Sequence, residues 1–286
     1  MQDKVICMVR HVCGISGGKD SSALAVYMRD RVPEMEYFFC DTGAELPETY
    51  RYLAKLEVAL GKKITRLNAE RSFDHYFEVF RGTLPSPQMR WCTKLLKIHP
   101  LEDWIGEDEV ISYVAIRADE KSRMGYMSTK PNITTVFPFI DDDVDHAGVV
   151  KILDDAGINL PDYYAWRTRS GCYFCFFQRK AEWVGLADNH PDLFERAVAI
   201  EQKVLKNAGA SGDANFQSTG MKGRQYTWSE GETLLELLAR RDEIMTKHAE
   251  SLKKSKAKRK NLPLVDVLIE ALDDDDEKDP CTVCHL

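Results

Sequence analysis

A chain of 286 residues with 44% hydrophobic side chains can bury a large core, and its formal net charge of −7 argues against dominant, nonspecific binding to nucleic acid. No stretch approaches the ~20 apolar residues needed to span a bilayer, and the start of the chain lacks a basic-then-apolar signal pattern, so a cytoplasmic, non-membrane protein is expected. Eight cysteines in that setting suggest metal or redox chemistry rather than a disulfide framework.

The first expected strand is the apolar run at 9–15, followed at once by the polar stretch Gly14-Ile15-Ser16-Gly17-Gly18-Lys19-Asp20-Ser21-Ser22-Ala23 and by a helix over Ser21 to Met28. A glycine-rich turn between strand and helix aims backbone N–H groups at one spot, where the helix dipole also favours an anion. The expected ligand is a phosphate group. Neither the Walker pattern nor the dinucleotide fingerprint fits, because Asp20 follows Lys19 and no third glycine arrives. Lys19 and Asp20 are expected on a surface turn.

Further along, residues 35–40 predict a strand ending beside Asp41 and Thr42, and 47–60 a helix opened by Pro47. Residues 62–68 and 109–117 predict two more strands. This alternation implies an α/β fold with a doubly wound, mostly parallel sheet. Ligands of such sheets bind beyond the carboxyl ends of the strands, which places Asp41 and Thr42 beside the glycine-rich turn. Asp41 or Thr42 could equally cap a helix start. From Asp188 the chain reads as mainly helical, giving a nucleotide-binding domain at 1–187 and a helical C-terminal region at 188–286. That region holds a basic run at 253–260 and an acidic run at 273–279, both read as solvated linkers.

Among the cysteines, Cys172 and Cys175 form C-x-x-C, a spacing that lets two thiolates clamp one metal or act as a redox dithiol. Cys92 and a second pair, Cys281 and Cys284, are the candidate partners. Cys7, Cys13 and Cys40 lie in or beside apolar strand runs and are expected to be small buried residues.

The stretch Ser16-Gly17-Gly18-Lys19-Asp20-Ser21 resembles the PP-loop of the ATP pyrophosphatases, and Asp41-Thr42-Gly43 with Pro47-Glu48-Thr49 resembles the phosphoadenosine phosphosulfate (PAPS) reductase branch of that superfamily. The segment 115–124 resembles the family's arginine-bearing strand end, and 137–175 follows its pattern of P-x-x-D, helix, L-P-x-x-Y and C-x-x-C. The resemblance implies an adenine nucleotide alpha hydrolase-like fold. It implies ATP bound by Ile15, Ser16, Gly17, Gly18, Lys19, Asp20, Ser21, Ser22, Asp41, Thr42 and Arg117, with Mg²⁺ at Asp20 and with Lys19 and Asp20 catalytic. For Arg117 the bland alternative is a surface ion pair among Asp119, Glu120 and Arg123.

In the iron–sulfur reductases of this family a Cys-Cys pair precedes the C-x-x-C; here only Cys92 stands at the first place, so one ligand is missing from the pattern. The resemblance implies a [4Fe–4S] cluster on Cys92, Cys172, Cys175 and either Cys281 or Cys284. Zinc on Cys172/Cys175 and Cys281/Cys284 is the alternative. The intact loop favours ATP cleavage to AMP and pyrophosphate over sulfonucleotide reduction, whose enzymes carry a degenerate loop. The layout resembles the ATP pyrophosphatase components of bacterial DNA phosphorothioation systems, which implies DNA as acceptor, a cysteine desulfurase as sulfur donor and other modification-system subunits as partners. tRNA thiolation is the next reading, and a nucleotide-binding metal scaffold the non-enzymatic one.

Overall fold

Strand β1 (Arg10–Gly14) lies at the centre of a parallel sheet, flanked by β2 (Glu36–Asp41) and β4 (Val110–Tyr113), with β3 (Ile64–Asn68) and β5 (Ile133–Val136) outside them in the order β3-β2-β1-β4-β5. The computed structural model describes residues 9–120, 130–210 and 226–258. Cys7, Arg123, Cys281, Cys284 and the acidic run lie outside the described residues. The fold is the expected doubly wound α/β arrangement.

Both faces of the sheet are buried at its central strands β1, β2 and β4, and the two-residue period of a strand divides their side chains cleanly. Cys13, Tyr37 and Phe39 pack on one face with Phe139 of α6 (Pro138–Asp141), beneath α1 (Lys19–Arg29), α2 (Pro47–Leu60) and α7 (His146–Asp155). Their neighbours Val12, Phe38 and Cys40 point to the other face, against Leu101 and Ile105 of α5 (His99–Ile105). Helix α2 starts at Pro47, as predicted, and stops at Gly61, whose positive φ of 64° ends it in a left-handed turn.

After β3 the chain crosses to the opposite side of β1 through α3 (Phe73–Val79), α4 (Trp91–Thr93), a π-helical turn (Lys94–Ile98) and α5. The point where the strand order reverses therefore lies between β1 and β4, and the site is built at their carboxyl ends. The strand expected over 109–117 pairs only at Val110–Tyr113; Val114 still donates to the Val136 carbonyl, and the buried chain then leaves the sheet toward Arg117.

The helices α8 (Lys180–Asn189), α9 (Pro191–Ala210), α10 (Leu234–Ala239) and α11 (Arg241–Lys258) follow. Trp183 of α8 and Trp228 are fully buried in an aromatic cluster that also holds Phe73, Trp91 and Phe174. The boundary expected between residues 187 and 188 thus falls inside α8, and one core continues across it. Glu201 of α9 is buried in the same region. Its two carboxylate oxygens accept the backbone N–H groups of Trp228 (2.9 Å) and Leu234 (2.8 Å), tying the 226–234 segment to α9. Burial pushes the Glu201 carboxyl up to about 7, against the pull of those two bonds.

Candidate nucleotide site

The glycine-rich turn leaves β1 at Gly14 and enters α1 at Lys19, with Gly18, which has no side chain to offer, at the N-cap. Gly17 has φ +79°, in the left-handed region, and a Cβ there would lie 2.8 Å from Cγ2 of Thr49. A Cβ on Gly18 would meet the Ser170 hydroxyl at 2.9 Å. Both glycines are required by close approach, and at Gly17 by backbone conformation as well. Gly17→Ala is expected to cost about 1–3 kcal/mol from strain and overpacking, read as a lower midpoint in denaturant unfolding.

Sequence reasoning expects the turn to present its N–H groups to an anion. Three of them already have hydroxyl acceptors: Ser16 N–H bonds Oγ of Ser21 (3.1 Å), Gly18 N–H bonds Oγ of Ser16 (3.3 Å), and Lys19 N–H bonds the phenolic oxygen of Tyr164 (3.0 Å). The Ser170 hydroxyl adds a bond to Oγ of Ser16 (3.1 Å), and the Tyr163 hydroxyl donates to the Gly17 carbonyl (2.7 Å). A segment some 145 residues downstream therefore covers the turn, and it includes the 3-10 turn Asp162–Ala165.

This covering corrects the expectation that Lys19 and Asp20 sit on a surface turn. They are only 4% and 7% exposed, and Ile15, Ser21 and Ser22 are buried with them. Oδ1 of Asp20 accepts Nη1 of Arg117 at 3.2 Å, and Arg117 also bonds Asp119 (3.0 Å) and pairs with Glu120 (3.3 Å). Arg117 is buried, so this is not the solvent-screened pair of the bland alternative. A guanidinium among three carboxylates, one on the glycine-rich loop, joins the ends of β4 and α1.

At the end of β2, Asp41 accepts the Gly43 N–H (2.9 Å) and the Tyr50 hydroxyl (2.8 Å), which ties it into the turn before α2. Thr42 turns the other way. Its hydroxyl donates to Oε1 of Glu45 (3.0 Å) and lies 3.1 Å from Sγ of Cys172, which is itself 3.5 Å from the same carboxylate oxygen. Glu45 and Cys172 also face each other as an isolated antiparallel backbone pair, with Tyr173 N–H donating to the Ala44 carbonyl. Arg167, fully buried, donates to the carbonyls of Gly171 and Cys172. The C-x-x-C turn is thereby docked against the end of β2.

Burial, then the Glu45 carboxylate, hold the Cys172 thiol well above its usual range, against Lys97 and the Thr42 bond. A metal or cluster ligand must be a thiolate. Cys92 packs at the edge of the aromatic cluster and Cys175 at the edge of the apolar cluster under β1 and β2. Among the described residues no group of three or more His, Cys, Asp or Glu side chains is placed to hold a metal ion. Cys92, Cys172 and Cys175, the described members of the expected set, form no such group, and Cys172 lies against Thr42 and Glu45. Cys281 and Cys284 lie outside the described residues.

Sequence reasoning missed Tyr163, Ser170, Glu45 and Arg167, and gave Thr49 and Tyr164 places in patterns without roles. Among the described residues no helix is long and apolar enough to cross a membrane.

An uncharacterised protein of Methanocaldococcus jannaschii is 26% identical over 208 residues, covering 69% of this chain and 48% of its own length. The tRNA-specific 2-thiouridylase of Pasteurella multocida is 27% identical over 128 residues, 38% of this chain and 33% of its own. The chain spans less than half the length of these curated relatives. The crystal structure of phosphoadenylyl-sulfate reductase from Candida auris, a phosphate complex, superposes with a TM-score of 0.44 at 14% identity, covering 57% of this chain and 80% of that one. The model of the phosphoadenosine phosphosulfate reductase domain matches residues 10–175, more than half of the chain and the whole segment from β1 to the C-x-x-C turn. The chain belongs to the phosphoadenosine phosphosulfate reductase domain family.

Proposed function

We propose that this chain is an ATP pyrophosphatase that transfers AMP to an acceptor oxygen, which sulfur then displaces. The observation that carries the reading is the uninterrupted Ser-Gly-Gly-Lys-Asp-Ser loop at the switch point of the sheet, with Lys19 and Asp20 as the first two residues of α1. A pyrophosphate leaving group develops charge as the α-phosphorus is attacked. The helix N-terminus and the buried Lys19 ammonium would stabilise that charge. Asp20 is the carboxylate that would hold the Mg²⁺ accompanying ATP, and Arg117, already paired with it, would share its guanidinium with a phosphate oxygen. Catalysis on this reading is positioning plus charge stabilisation.

The sulfur-transfer half rests on the family and on the thiouridylase among the relatives. For the acceptor we propose a phosphate oxygen of DNA, as in phosphorothioate modification, with a cysteine desulfurase supplying sulfur and further modification subunits assembling on the chain; a tRNA base is the neighbouring possibility. The full chain incubated with Mg-ATP is expected to release AMP and pyrophosphate, slowly without acceptor; release of ADP and phosphate would overturn the reading. A second reading, reduction of a sulfonucleotide, is favoured by the matched domain itself. Thioredoxin-dependent sulfite release, lost in Cys284→Ser, would put it first.

A further inference from the structure

The hydroxyl of Tyr164 holds the first N–H of α1, the group that an incoming phosphate would be expected to take. Tyr164 is nearly buried, its ring stacks on Tyr163 with centroids 5.0 Å apart and planes 27° apart, and Tyr163 is anchored to the Gly17 carbonyl. The hydroxyl is thus fixed against the turn: a Cβ added at Gly18 would lie 3.5 Å from it. Lys19 N–H cannot be left without an acceptor at this depth, because an orphaned buried N–H costs more than one hydrogen bond returns.

We propose that Tyr164 is the residue that sets phosphate affinity at this site, by standing in for a phosphate oxygen until the nucleotide arrives. The inference rests on the reading of the loop as a pyrophosphate site. An anionic oxygen is the stronger acceptor and takes the N–H from the phenol, so each binding event breaks the Tyr164 bond and each release of pyrophosphate restores it. The neighbouring Tyr163 bond does not compete, since it donates to a carbonyl and a phosphate oxygen has no proton to offer in its place. The two tyrosines therefore differ in a way that a purely structural role would not predict.

Calorimetric titration of inorganic pyrophosphate and of ATP into the full chain tests this. Tyr164→Phe removes the competing acceptor while keeping the ring, so pyrophosphate should bind about two- to tenfold more tightly, the net worth of one hydrogen bond. The same variant should unfold at a lower temperature than wild type when unliganded, because Lys19 N–H then lacks its partner. Tyr163→Phe should also lose stability but should not tighten binding. A Tyr164→Phe Kd equal to or weaker than wild type overturns the inference while leaving the pyrophosphatase reading intact. A wild-type chain that binds neither pyrophosphate nor ATP removes both.

Discussion

Lys19→Ala is expected to slow AMP formation from ATP by about 10²–10³-fold, the usual cost of removing one preorganised charge-stabilising group. The size of the effect follows from burial. Lys19 is 4% exposed at the first position of α1, so its ammonium acts where water does not screen it and where the helix dipole has the same sign. Asp20→Asn is expected to be comparably damaging, because the carboxamide cannot carry the charge that Mg²⁺ requires. Arg117 would keep a neutral acceptor oxygen in place of the charged one at 3.2 Å, along with Asp119 and Glu120. Product analysis of AMP alongside thermal unfolding separates lost chemistry from lost fold. Near-normal AMP formation by a folded Lys19→Ala would remove the loop from the mechanism.

The second large effect concerns pH and the helical region. The folded Glu201 carboxyl titrates at about 7 against an ordinary value of 4.5, and burial is the main cause. A raised carboxyl contributes its stability below the unfolded value, where both states are protonated, and that contribution is lost as the pH climbs through the folded value. The gap corresponds to roughly 3 kcal/mol, all of it withdrawn between about pH 4.5 and pH 7 or a little above. Unfolding midpoints compared at pH 5 and pH 8 should therefore fall more steeply in wild type than in Glu201→Gln, which cannot ionise. The glutamine variant should be less stable overall, since its NH₂ would face one of the two backbone N–H groups that the carboxylate accepts. Parallel pH profiles for the two proteins would show that Glu201 remains ionised in the fold.

What could be read from the sequence was what local chemistry determines. Pro47 and Gly61 bracket α2, and the glycine-rich turn sits between a strand and a helix as its composition demands. The parallel sheet follows from alternating apolar and amphipathic segments. Exposure of the loop could not be read that way. Lys19 and Asp20 look solvated in their own neighbourhood and are buried only because Tyr163, Tyr164 and Ser170 arrive from far along the chain. The same holds for Cys172. Its C-x-x-C spacing suggests a thiolate pair, but spacing carries nothing about Thr42 and Glu45, which meet it through a backbone pairing between a loop after β2 and a turn before α8. Strand β4 ended early for a tertiary reason as well, since its apolar run continues through Ile116 while the chain peels off to deliver Arg117.

The π-helical turn at Lys94–Ile98 has a consequence for insertions and deletions. A π-turn holds one residue more than the α-turn it replaces, so excising any one residue of this stretch would let the helix run on with regular geometry. Everything on its N-terminal side would then rotate by about 100° around the axis relative to α5. Trp91 and Cys92 would swing out of the aromatic cluster that now receives them. A homologous chain one residue shorter here should therefore carry its cysteine at a shifted position or have none, and an aligned cysteine across such a gap would not occupy the same place in space.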